Sequence, residues 1–112
     1  MIGDIIETKQ ITFNNENMEV YVCKSFMEKL NGATILKEPD KKIKGMLFIY
    51  NKPVRNGFWM YRMKFPLDIY FLDENYNVIE KFERVAPCHK FLGIGCPVYK
   101  PKSKYRYVLE IW

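Results

Sequence analysis

The softest ligands and strongest nucleophiles in the chain are Cys23, Cys88, Cys96 and the single histidine, His89. Zinc sites usually hold two thiolates on one knuckle through close C-x2-C pairs. Seven residues separate Cys88 from Cys96, and adjacent Cys88 and His89 rarely both reach one ion. No metal and no cofactor is therefore expected. A nucleophilic thiol needs a base beside it, yet neighbours on an extended chain point to opposite faces. Cys88–His89 is thus a weak dyad, and His89 reads as an exposed loop residue. In a reducing cytosol the three cysteines are expected as free thiols, and an odd count rules out complete pairing.

Among the carboxylates, Asp68 stands out because it sits inside the apolar run Phe65–Phe71. It must reach water, a backbone amide or a cation such as Arg62 or Lys64. Its structural role is to fix a hairpin; its functional role is to bind a ligand or carry catalysis. Asp73, at opposite strand parity, reads as a turn former. Glu110 reads as a paired or exposed acid in the last strand.

Lys100, Lys102, Lys104 and Arg106 alternate, so in extended conformation they share one face, with Tyr99, Tyr105 and Tyr107 interleaved. Arg55, Arg62 and Lys64 could join that patch. Basic groups bind phosphate and aromatics stack bases. The opposing reading is a solvated edge whose lysines deter strand pairing.

These groups must be positioned by a small core. The chain has 112 residues, 48% hydrophobic and 16% aromatic, which suits one domain over residues 1–112 and argues against disorder. The net charge of +5 is modest and the acids are interspersed, unlike a dedicated nucleic-acid binder. No signal segment or membrane-length apolar run is visible, so the chain reads as cytoplasmic with no membrane association.

Residues 5–13 and 18–22 read as a hairpin about the turn cluster Asn14–Asn17. Ser25 and Glu28 form a capping-box pattern that predicts one short helix near 25–31, with Gly32 as its left-handed stop. Residues 45–50, 58–63, 67–72, 78–85 and 105–112 read as strands. The segment Gly57–Asp73 concentrates Phe58, Trp59, Tyr61, Phe65, Tyr70 and Phe71 and reads as a central aromatic hairpin. Residues 86–103 read as a long loop, and such loops are often functional. The expected fold is mainly β, α+β at the margin: a small barrel or sandwich with one short helix.

Several words in order resemble the uncharacterised domain of unknown function 192 of bacteria and archaea. They are Gly45-Met46-Leu47-Phe48, Phe58-Trp59-Met60, Pro66-Leu67-Asp68-Ile69 with Phe71-Leu72-Asp73, Pro87-Cys88, Cys96-Pro97 with Tyr99, and Tyr107-Val108-Leu109-Glu110. The resemblance spans roughly residues 18–111 and implies a small β-rich fold without implying a reaction. Tyr61-Arg62-Met63 replaces a short polar sequence usual in the family. The usual signal segment and C-terminal extension are not seen. The resemblance further implies that the matching cysteines of extracytoplasmic relatives could close a disulfide. Here Cys88 and Cys96 stand either as nearby thiols or as a disulfide, the latter in an organism that makes intracellular disulfides.

The favoured function is a non-enzymatic binding module. Trp59, Arg62, Asp68 and Tyr70 are its ligand-binding residues, and the Cys88–Cys96 loop meets a small ligand or a protein partner. One alternative is an RNA- or ribonucleoprotein-associated module using Arg55, Lys100, Lys102, Lys104 and Arg106. The other is a small enzyme using Asp68.

Overall fold

Asn14 and Asn15 both adopt left-handed backbone, with φ of 53° and 64°. Two consecutive residues of that kind make the tight turn whose twist matches paired strands, and asparagine tolerates it best after glycine. They join β1 (Glu7–Phe13) to β2 (Glu16–Cys23), with Phe13 opposite Glu16. The structure, a computed structural model, describes residues 7–25, 28–29 and 32–112.

The remaining strands are β3 (Gly45–Val54), β4 (Phe58–Trp59), β5 (Leu67–Leu72), β6 (Val78–Val85), β7 (Val98–Tyr99) and β8 (Tyr105–Ile111). Six of them form one sheet in the order β1-β2-β3-β8-β5-β6, while β4 and β7 form a separate pair. Every pairing is antiparallel except β2 with β3. That parallel step needs a crossover, and residues 24–44 supply it. Within it Ser25 and Glu28 cap each other reciprocally. Ser25 N donates to Glu28 Oε1 at 3.0 Å, and Glu28 N donates to Ser25 Oγ at 3.1 Å. Residues 28–29 are helical, and Gly32 has φ of 51°. The other helix positions expected from the sequence, Phe26, Met27, Leu30 and Asn31, lie outside the described residues, as do Ile5 and Ile6 of the first strand.

The fold is mainly β, as expected, and the sheet is not closed into a barrel. It does coil strongly. In a flat sheet β1 would lie four strand spacings, about 19 Å, from β5. Instead the Phe13 and Tyr70 rings meet edge-on at 4.9 Å. The coil encloses a smaller core of Met18, Val20, Leu47, Tyr70, Leu72 and Leu109 on the inner face. The other face carries the larger core, including Cys23, Met46, Phe48, Ile69, Phe71 and Val108. Met60, Met63 and Phe65 reach down to that face from the covering segment between β4 and β5.

The central aromatic hairpin does not form. Only Phe58 and Trp59 are strand, and they pair with Tyr99 and Val98 of β7 rather than with β5. Past Met60 the chain turns: Met63 N donates to Met60 O, and Arg62 has φ of 67°. Pro66 lacks the amide that a ladder requires. The neighbours of β5 are β8 and β6. Residues 86–103 are also more ordered than a plain loop, since they hold β7 and a 3-10 turn at Phe91–Gly93.

Candidate functional site

Residues 56–63 are held over the larger core face by three ties. Met60 accepts at its carbonyl from Cys88 N at 3.0 Å, and Arg62 N donates to Cys88 O at 3.1 Å. Tyr105, fully buried at the start of β8, donates its hydroxyl to Asn56 O at 2.8 Å. The third tie is steric. Gly93 has φ of 76°, and a Cβ there would meet the Trp59 ring at 2.6 Å. Glycine alone lets the loop back and the indole lie this close.

Cys88 and Cys96 are bonded as a disulfide with a Cα–Cα separation of 5.9 Å. This corrects the expectation of free thiols: the turn through Gly93 and Gly95, both at positive φ, folds the intervening residues back and brings the ends together. Cys23 is the free cysteine, and burial pushes its thiol up to about 12. It is inert at neutral pH.

Between the tethered segment and strands β3 and β8 lies a cavity of about 230 Å³. Phe48, Tyr50, Phe58, Trp59 and Tyr61 line it, and Glu110 contributes the acid. The register explains how Glu110 arrives there. It faces Met46 of β3 and Ile69 of β5, so its side chain projects from the larger core face. The residue is 5% exposed. Among the described residues no side-chain nitrogen or oxygen is both fully enclosed and without a hydrogen-bond partner, so the Glu110 carboxyl opens onto the cavity. Burial pushes that carboxyl up to about 8, so it holds its proton at neutral pH. Glu110 is therefore neither paired nor exposed. Both faces of β8 are covered, a condition that its sequence alternation does not reveal.

Lys29 also lines the cavity, with its ammonium 4.1 Å from the Tyr50 ring centroid. Burial holds its pKa below the usual lysine value, and the Glu28 carboxylate opposes that shift. A second cavity of about 280 Å³ opens on the inner face between β1 and the leucines Leu47, Leu72 and Leu109. It contains no buried acid or base and is the gap left by incomplete coiling.

The four ligand-binding candidates do not converge. Trp59 forms part of the cavity wall and is 47% exposed. Arg62 is exposed on the covering turn and does not line the cavity. Tyr70 is buried on the inner face against Phe13. Asp68 lies at the start of β5, where β6 bulges and Glu83 and Arg84 oppose it. Its Oδ1 accepts the Arg84 amide at 2.7 Å, and Arg84 has φ of 51°. That is a bulge with its freed amide capped. The cations proposed for Asp68 are elsewhere: Lys64 donates to Thr34 O.

The basic residues do not form a strand face either. β8 begins only at Tyr105, Pro101 is buried, and Lys102–Ser103 is a bend whose Lys102 amide donates to Glu80 Oε1 at 3.0 Å. Arg106 Nε donates to Tyr50 O at 2.9 Å. Lys100, Lys104 and Arg55 are exposed, and the alternation expected of an extended run is broken at the bend. Among the described residues no cluster of three or more His, Cys, Asp or Glu could hold a metal ion.

Residues 8–112 match the family DUF192, described as "Uncharacterized ACR, COG1430". The chain belongs to the DUF192 family. None of the curated proteins matches it. Two solved structures resemble this DUF192 domain. One is a protein of unknown function from Novosphingobium aromaticivorans DSM 12444, 22% identical, with TM-score 0.74 over 95% of this chain and 72% of that one. The other comes from Sinorhizobium meliloti 1021 and is provisionally described as a transcription regulator. It is 18% identical, with TM-score 0.75 over 95% of this chain and 78% of that one. At these identities the likeness carries the fold alone. No helix among the described residues of the DUF192 domain is long and apolar enough to cross a membrane.

Proposed function

We propose that this DUF192 domain is a binding module whose small ligand occupies the aromatic cavity over Glu110. The observation that carries this reading is the Glu110 carboxyl itself. The residue is 5% exposed overall and lines the aromatic cavity, so its carboxyl is a polar group offered to whatever occupies that space, as in concave sites where a few polar groups fix a ligand among apolar walls. The disulfide-closed loop beside the cavity leaves Phe91, Leu92 and Ile94 79%, 65% and 71% exposed. That patch suits the protein partner that such a module would meet.

Native mass spectrometry of the protein purified from its source tests the reading. A small adduct retained by the wild-type chain and lost from Glu110→Gln supports it. An adduct-free wild-type protein argues against it.

A second reading is favoured by the acid's behaviour. A carboxyl near pKa 8 is tuned for proton transfer at neutral pH, which would make Glu110 a general acid or base in a small enzyme. Asp68, tied to the Arg84 amide, is the weaker choice for that role. Turnover of the retained adduct separates enzyme from binder. The cytoplasmic placement is compatible with the Cys88–Cys96 bond in an organism that keeps intracellular disulfides.

A further inference from the structure

The cavity over Glu110 pairs a carboxyl, on a residue only 5% exposed, with several electron-rich rings in its lining. Those two features make the same demand on a ligand. Aromatic faces carry negative potential and attract cations most strongly where water is excluded. A carboxyl is repaid most by a charged N–H donor. A neutral ligand lacks the charge that both features reward, and an anion is opposed by both, with Lys29 as a counter-charge in the lining.

We infer that the cavity takes a small organic ammonium ion, held between the Glu110 carboxylate and the rings of Trp59 and Tyr61, the Tyr50 ring being already covered by Lys29. The inference rests on the reading of this cavity as a ligand site. The fold already contains an instance of the contact: the Lys29 ammonium sits 4.1 Å from the Tyr50 ring centroid. Lys29 does not satisfy Glu110, since the two form no ion pair and burial is the sole cause of the Glu110 shift. The acid is left for another cation.

The groups facing Glu110 do not compete for its proton. Cys23 on β2 has its thiol raised to about 12, and Tyr50 on β3 has its phenol raised by burial. Both stay neutral below pH 9. On β5 the register partner is Ile69, and Tyr61 closes the cavity from the covering segment. Binding an ammonium ion therefore requires Glu110 to release its proton to solvent. The ligand keeps all of its own protons, and one proton leaves per ligand bound.

Phenethylamine is a suitable probe, with 2-phenylethanol as neutral control and 3-phenylpropionate as anionic control. Calorimetric titration in two buffers of different ionisation heat reads affinity and proton release together. The amine should bind about tenfold more weakly for each pH unit below 8, releasing a proton as it binds. Glu110→Gln should abolish amine binding and the proton release. Trp59→Ala changes a half-exposed side chain, and should weaken the amine at least fivefold with the fold intact by circular dichroism. Preference for the alcohol overturns the cation inference and leaves the ligand-site reading standing. So does preference for the propionate, which would make Lys29 the anchor. Failure of all three probes to bind at any pH overturns both.

Discussion

Glu110 on β8 lies directly opposite Met46 on β3, so a carboxyl group occupies a position where both sheet neighbours, Met46 and Ile69, are buried and apolar. A sulfur-bearing chain and an aliphatic one offer it no strong donor. The acid opens instead onto the cavity that Trp59 helps to line. This one juxtaposition sets a pH dependence of the fold.

The sign of that dependence follows from the raised value. Below pH 4.5 folded and unfolded chains both carry the protonated acid. Between 4.5 and about 8 only the folded chain keeps the proton, so stability falls as pH rises. Above 8 the full cost of the buried charge is present. Glu110→Gln should therefore melt higher than wild type at pH 9 and close to it at pH 5. Thermal unfolding across that range checks this, and a constant difference between the two proteins would contradict it.

Gly93→Ala should destabilise the chain by more than about 1 kcal/mol, because the position is at positive φ and the new Cβ collides with the Trp59 ring. The indole NMR signal of Trp59 should shift, while that of Trp112, packed on Tyr21 and Phe65, should not. Urea unfolding gives the energy.

Reducing the Cys88–Cys96 bond should cost about 2–3 kcal/mol, the chain-entropy value for so short a loop. Cys88 also anchors Met60 and Arg62 by backbone hydrogen bonds. Loss of order should therefore spread to residues 56–63. Hydrogen exchange with and without reductant reports it at the Arg62 and Cys88 amides.

Asp68→Ala should lose about 1–2 kcal/mol, the worth of a charge-assisted bond to the Arg84 amide. Binding at the Glu110 cavity should be unchanged within twofold. A larger loss of binding than of stability would return Asp68 to the functional site. Titration of the same ligand with both proteins decides the matter.

The local elements were legible in the sequence. Asn14–Asn15 signalled a tight turn, Ser25 and Glu28 signalled a reciprocal cap, and the apolar run from Gly45 signalled a strand buried on both faces. Each depends on interactions within a few residues, which is the range over which residue type governs backbone conformation. The ordered words from Gly45 to Glu110 also placed the chain in its family. Residue type further marked Asp68 as an acid that needed a partner, though not that the partner would be the Arg84 amide.

Long-range register decided the rest. The aromatic-rich segment from Phe58 to Phe71 could not reveal that Pro66 and the Met60–Met63 turn would send its two halves to different partners. Alternation in Tyr105–Ile111 assigned Glu110 to one face of a strand. Whether that face met water depended on Trp59 and Tyr61, about fifty residues earlier in the chain. Those residues were held in place by a disulfide and by Gly93. A side chain's burial, and with it the pKa of its acid, is a property of what folds over it, and that is fixed only when distant segments pack.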